Sequence, residues 1–209
     1  MNINYQKLCL EEISNLDSKK NILLHSCCAP CSSYVITFLS NYFDITILYY
    51  NPNIYPKEEY EKRKKEQIKL IKSLKTKNKL NYLDCDYDND IYNSLITGYE
   101  NCKEGGSRCH ICFNLRLEKT AIIAKENNFD YFCSTLTVSP HKNSKIINEI
   151  GIDLSNKYQI KWLYSDFKKN EGYKQSIELS KKYELYRQDY CGCIYSKKER
   201  EQQKLEKVI

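Results

Sequence analysis

No run of apolar residues in this 209-residue chain approaches the length of a membrane span. The opening stretch, Met1 to Lys7, has no apolar core of the kind a secretory signal carries. The expectation is a cytoplasmic protein without a membrane partner. Glycine and proline are scarce, at 6 and 4 residues. No low-complexity linker, no repeat of fixed period and no internal boundary is visible. The chain reads as a single α/β domain over 1–209, with a polar lead-in or short helix over 1–20 and a C-terminal helix over 194–209. Excess charge is also modest. A formal net charge of +6 permits an RNA partner and does not require one. Mean hydropathy is low, at −0.67, although 41% of residues count as hydrophobic, because 19 tyrosines inflate that share.

Cysteine, by contrast, is plentiful. Eleven occur, an odd number, clustered as CCxxC, CxxC and CxC. In a reducing compartment such clusters point to metal or redox chemistry, not to a disulfide framework. The chain is organised around the first of them, Cys27, Cys28 and Cys31. They directly follow the apolar run Ile22 to Leu24, which reads as a short buried strand. Ser32, Ser33 and the apolar Val35, Ile36, Phe38 and Leu39 then read as a helix. The three cysteines therefore sit on a strand-to-helix turn, at the strand edge where open α/β sheets bind ligands. The positive end of the helix favours thiolate over thiol there.

The rest of the chain alternates in the same way. Strands are expected over 21–25, 44–50, 80–85, 129–135 and 160–164. Helices are expected over 31–42, 56–74, 89–99, 113–127, 143–158 and 173–183. Arg63, Lys64 and Lys65 read as a solvated helix face. Strand–helix alternation repeated about five times predicts a Rossmann-like parallel sheet with helices on both faces and a metal site at the C-terminal edge of the strands.

A second special segment runs from Glu104 to Cys112, where two glycines precede Cys109 and Cys112. With Cys27 and Cys28 this pair gives four thiolates from two strand-end loops. Four thiolates suit a structural zinc or a [4Fe–4S] cluster. Adjacent Cys27 and Cys28 favour the cluster, because neighbouring side chains reach two irons of a cubane more readily than one zinc. Cys191 and Cys193 flank Gly192. They suit either a small, strained, reducible disulfide or a second metal site with Cys31. Cys9, Cys85 and Cys133 read as core, and Cys102 stays open. His25 reads as a structural hydrogen bonder and His110 as pointing away. His141, after Ser139 and Pro140 at a strand end, is the histidine placed for proton transfer or substrate contact.

Several stretches together resemble one family. They are His25 to Ser33 (HSCCAPCSS), Tyr50 to Ile54 (YNPNI), Gly105 to Phe113 (GGSRCHICF) and Leu115 to Leu117. Thr135 to Lys142 (TLTVSPHK), Ser165 to Lys169 (SDFKK) and Leu185 to Cys193 (LYRQDYCGC) complete the set. Over residues 21–197 the chain resembles the QueH-type epoxyqueuosine reductases. The resemblance implies the last step of queuosine biosynthesis, removal of the epoxide oxygen from epoxyqueuosine at the wobble position of tRNA. It also implies a [4Fe–4S] cluster with an additional metal ion, expected to be iron, and an external electron donor. Cys27, Cys28, Cys109 and Cys112 are the expected cluster ligands. Cys31, Cys191 and Cys193 are expected at the second metal, or Cys191 and Cys193 act as a redox dithiol. Cys191, Cys193 and His141 are the expected catalytic residues. Tyr55, Arg63, Arg108, Arg116, Arg187 and Tyr190 are candidates for RNA contact. Two other classes compete. An ATP-dependent tRNA thiolation enzyme of similar fold would carry a Gly/Ser-rich phosphate loop after the first strand, where this chain has cysteines. A non-enzymatic zinc module binding RNA is the other.

Overall fold

Ile22, Leu23 and Leu24 are wholly buried, because the strand that carries them is covered on both faces. A computed structural model describes residues 3–206. The strands are β1 (Lys20–His25), β2 (Phe43–Leu48), β3 (Leu80–Leu83), β4 (Tyr131–Ser134) and β5 (Lys161–Trp162). They form one parallel sheet in the order β3-β2-β1-β4-β5. The order reverses at β1, so the crevice between the C-terminal ends of β1 and β4 is the switch point where such sheets take ligands.

Alternation along β1 divides the core. Ile22 and Leu24 join one cluster with Val35, Leu39, Ile45 and Leu70. Leu23 joins the other with Leu117, Ala121, Phe132 and Trp162. The first face is covered by α1 (Tyr5–Ser14), α2 (Ala29–Leu39), α3 (Lys57–Ser73) and α7 (Gly172–Lys182). The second is covered by α5 (Ser107–Glu126) and α6 (Ser144–Tyr158). The short α4 (Asn89–Leu95) packs on α5 through Tyr92 and Ile96, and α8 (Ile194–Glu206) follows the last cysteines. At Gly151, α6 approaches β5 so closely that a Cβ would strike the Trp162 ring. Among the described residues, no helix is long and apolar enough to cross a membrane.

The structure moves several expected boundaries. Within the lead-in the short helix is α1, which buries Cys9 completely. Helix α2 starts at Ala29 because Pro30 suits a first turn, where its missing N–H costs nothing. Cys28 is therefore its N-cap and Cys31 lies inside it. Helix α5 starts at Ser107, not at Phe113, so Cys109 and Cys112 sit on its opening turns. The fifth strand shrinks to two residues. Arg63 is not on a solvated face. It is 1% exposed, because the chain around Cys191 covers that side of α3. Residues 207–209 of the expected C-terminal helix lie outside the described residues.

Candidate metal centre

Cys27, Cys28 and Cys31 bring their three sulfurs within 4.8 Å of one another. The Cys27 and Cys28 Sγ atoms are 4.0 Å apart. A tetrahedral ion with metal–sulfur bonds of about 2.3 Å sets its sulfurs about 3.8 Å apart, so the trio is spaced as ligands are. The turn that carries it is pinned to the neighbouring strand end. Thr135, just after β4, accepts the Cys27 N–H at 3.1 Å and donates to Cys27 Sγ at 3.3 Å. Ser32 donates to the Cys28 carbonyl at 2.8 Å, and its hydroxyl is joined to Ser26 and Gln67.

The other predicted cysteines form a second group alongside. Cys109, Cys112, Cys191 and Cys193 line one small cavity of about 80 Å³. Cys191 also lines a larger cavity, of about 750 Å³, together with Cys27, Cys28 and Cys31. Lys142 and His141 border both cavities. The seven cysteines singled out from the sequence thus converge from three loops. All eleven cysteines are free thiols. Cys9 and Cys133 are core, as expected, and Cys85 is half-buried away from both cavities.

The electrostatics suit anionic sulfur. The N-terminal ends of α2, α5 and α8 begin at Cys28, two residues before Cys109 and just after Cys193, and each presents positive partial charge. Backbone N–H groups reach two of the sulfurs, Gly105 to Cys109 at 3.2 Å and Ser196 to Cys193 at 3.4 Å. Arg116, 2% exposed, donates to Asn51 Oδ1 at 2.5 Å, to His25 Nε2 at 3.3 Å and towards Cys112 Sγ at 3.9 Å. Hydrogen bonds from the Cys28 and Cys31 thiols hold Cys27 well below the usual thiol range, against its burial. Donating that bond raises Cys28 to about 11. Burial pushes Cys109 to about 11 and Cys112 to about 12. Burial pulls the Lys142 ammonium down, yet the neighbouring sulfurs of Cys191, Cys27 and Cys31 outweigh it and hold the group above its usual range. The protein thus stores cations beside thiols that a metal would deprotonate. That donor set, soft sulfur with compensating positive charge, fits a thiophilic metal or an iron–sulfur cluster.

His25 is the structural hydrogen bonder expected. It is wholly buried, and burial followed by the Arg116 charge pushes it down to about 3. His141 is exposed, on the rim. Three of the arginines expected at RNA are elsewhere: Arg63, Arg108 and Arg116 are 1–2% exposed and face inward. Arg187 and Tyr55 are exposed and Tyr190 half-buried. Asn51 and Lys142 carried no role in the sequence reading. Asn51 donates to the Ser26 carbonyl at 2.8 Å besides accepting from Arg116, and its signal was its place in the Tyr50 to Ile54 stretch that carries the family resemblance. Lys142 stands next to the His141 already singled out.

Comparison with known proteins agrees with this arrangement. A family model described as epoxyqueuosine reductase QueH matches residues 22–199. The epoxyqueuosine reductase QueH of Streptococcus pyogenes serotype M1 is 45% identical over 202 residues, covering 94% of this chain and 79% of that protein. That of Staphylococcus epidermidis is 44% identical over 201 residues, covering 93% and 84%. That of Thermotoga maritima is 35% identical over 188 residues, covering 88% and 94%. With a matched span that takes in all seven converging cysteines, the chain belongs to the QueH family of epoxyqueuosine reductases.

Proposed function

We propose that this protein reduces epoxyqueuosine to queuosine at the wobble position of tRNA, in the cytoplasm, with electrons from an external donor. The observation that carries the reading is the convergence of seven cysteines on adjoining cavities at the β1/β4 switch point of a QueH-family chain. Neither a thiolation enzyme nor a zinc module is favoured by that family membership.

Removing the epoxide oxygen consumes two electrons and two protons and leaves an alkene and water. Cys27, Cys28, Cys109 and Cys112 are the ligands we assign to a [4Fe–4S] cluster. Cys31, Cys191 and Cys193 are assigned to a second iron, or the last two serve as a dithiol yielding two electrons on forming a disulfide. When bound, such a centre supplies electrons singly and a Lewis acid for the epoxide oxygen.

The chain's own residues do the rest. The larger cavity has room for a nucleoside and opens over the sulfurs of Cys27, Cys28, Cys31 and Cys191. A base inside it has left the anticodon stack. Tyr173, Arg187 and Tyr190 in its wall offer stacking and charge for that base. Lys142 Nζ, protonated at neutral pH, and the His141 ring stand in the wall as proton donors. Thr135 and Arg116 fix Cys27 and Cys112.

Anaerobic purification tests the reading. The protein should carry iron and acid-labile sulfide, absorb broadly in the visible and convert epoxyqueuosine-containing tRNA when reduced. A colourless protein holding stoichiometric zinc after anaerobic handling would contradict it.

A further inference from the structure

Two buried polar groups beside the cysteine trio have no protein partner. The Tyr49 hydroxyl, on a side chain that is 0% exposed, makes no hydrogen bond. Arg63, 1% exposed, uses Nε for Glu59 at 2.7 Å and Nη1 for the Cys191 carbonyl at 3.0 Å, but leaves Nη2 unpaired. A buried polar group left unsatisfied keeps the full cost of its desolvation, so a native protein that keeps two together has an acceptor for them. The two belong to one place. Tyr49 immediately follows β2 and packs against Tyr60 of α3 with the rings tilted at 46° and their centroids 5.4 Å apart. Tyr60 lies three residues before Arg63 on the same helix. Leu48, just before Tyr49, accepts the N–H of Ser26, the residue before Cys27, at 2.9 Å, and the carbonyl that Arg63 holds belongs to Cys191, which lines the large cavity with Cys27, Cys28 and Cys31. Burial, against the pull of the Arg63 charge, holds the Tyr49 phenol above its usual range, so its oxygen keeps its proton and is a donor.

We propose that Tyr49 Oη and Arg63 Nη2 are hydrogen-bond donors to the sulfur of the metal centre, and that they raise its reduction potential. This rests on the reading that the cysteines hold a redox-active metal centre. Donors and a cation beside sulfur ease the addition of negative charge, so the reduced state gains more than the oxidised one. Tyr49 and Arg63 are positioning residues: they act on the sulfur and not on the substrate. Arg63 has a second task, since Nη1 holds the Cys191 carbonyl and its guanidinium lies 4.9 Å from the Tyr190 ring centroid. At Gly192, whose φ is +141°, a Cβ would stand 3.1 Å from Arg63 Nη1. The glycine between the last two cysteines thus lets that segment close over the arginine.

Tyr49→Phe isolates the effect, because it removes one oxygen and no packing. In metal-free protein the variant should be as stable as wild type or more so, since an unsatisfied hydroxyl is gone. In reconstituted protein with normal iron and sulfide content, its midpoint potential should shift downward. The stabilisation gained on loading the centre should shrink as well. Arg63→Gln should lower the potential further, and the double variant further still. An unchanged potential in Tyr49→Phe with a normal iron content would overturn the inference and leave the metal reading standing. A wild-type protein that takes up no iron under the same reconstitution would overturn both.

Discussion

Arg116 donates from Nε to His25 Nε2 across 3.3 Å, beneath the cysteine loops. The ring is held on its other contacts too, with Nε2 3.1 Å from the Tyr50 carbonyl and Nδ1 2.8 Å from Ser134 Oγ. The pair joins α5, β1 and the end of β4 and puts a fixed positive charge under Cys27 and Cys112.

Arg116→Met should therefore destabilise the metal-free protein by about 3 kcal/mol, because Asn51 and His25 lose a buried charge-assisted donor. Chemical denaturation reads this directly. The same variant should take up less iron than wild type. Unchanged stability would show that Asn51 and His25 find other partners.

Cys133 gives a pH signature free of the metal site. Its thiol is 3.4 Å from the Leu163 carbonyl, and burial pushes it up to about 12. An unfolded cysteine ionises near 8.5, so the native state binds more protons above that pH. This contribution is complete below about 8.5 and is lost as pH rises towards 12, by about 1.4 kcal/mol per pH unit. Cys133→Val should lose less stability between pH 8 and pH 10 than wild type, by about 2 kcal/mol. Equal losses in the two proteins would remove Cys133 as the source.

Binding of tRNA should be salt-sensitive. The cations available at the surface of the large cavity include Arg187, which is exposed and pairs with no carboxylate among the described residues, meeting the hydroxyls of Ser180 at 3.5 Å and Tyr173 at 3.4 Å and the Tyr173 ring. Affinity should fall steeply with salt, and Arg187→Ala should reduce the slope of log K against log salt by about 1. A salt-independent affinity would exclude a basic docking face.

The parallel sheet, its two-sided cover and the edge bearing the cysteines were legible in the sequence. Continuous apolar runs such as Ile22 to Leu24 mark strands buried on both faces. Cysteine pairs at helical or turn spacing mark themselves too. The arginines were misread for a physical reason. Arg63 follows Lys62 in a run of basic residues, and nothing local shows that the chain around Cys191, 128 residues later, covers it. Arg116 looks like one surface charge on α5 until the Asn51 loop closes over it. Burial of a cation is a tertiary fact, and its signal lay in the neighbouring thiols that need it.

Cys191 and Cys193 should act in turnover. A Cys191→Ser/Cys193→Ser double variant should fold, keep its cluster spectrum and bind tRNA, yet convert no epoxyqueuosine. Near-normal turnover would remove their catalytic role. Loss of the cluster would mean that at least one of them is a cluster ligand.

The most direct test is the nucleoside itself. Epoxyqueuosine-containing tRNA is incubated anaerobically with reconstituted, reduced protein, digested and analysed by mass spectrometry. Wild type should yield queuosine, one oxygen atom lighter, while Cys27→Ser/Cys28→Ser should leave the epoxide intact. Wild type that leaves epoxyqueuosine unchanged, or a double variant that converts it at the wild-type rate, would contradict the assignment of the chemistry to this cysteine cavity.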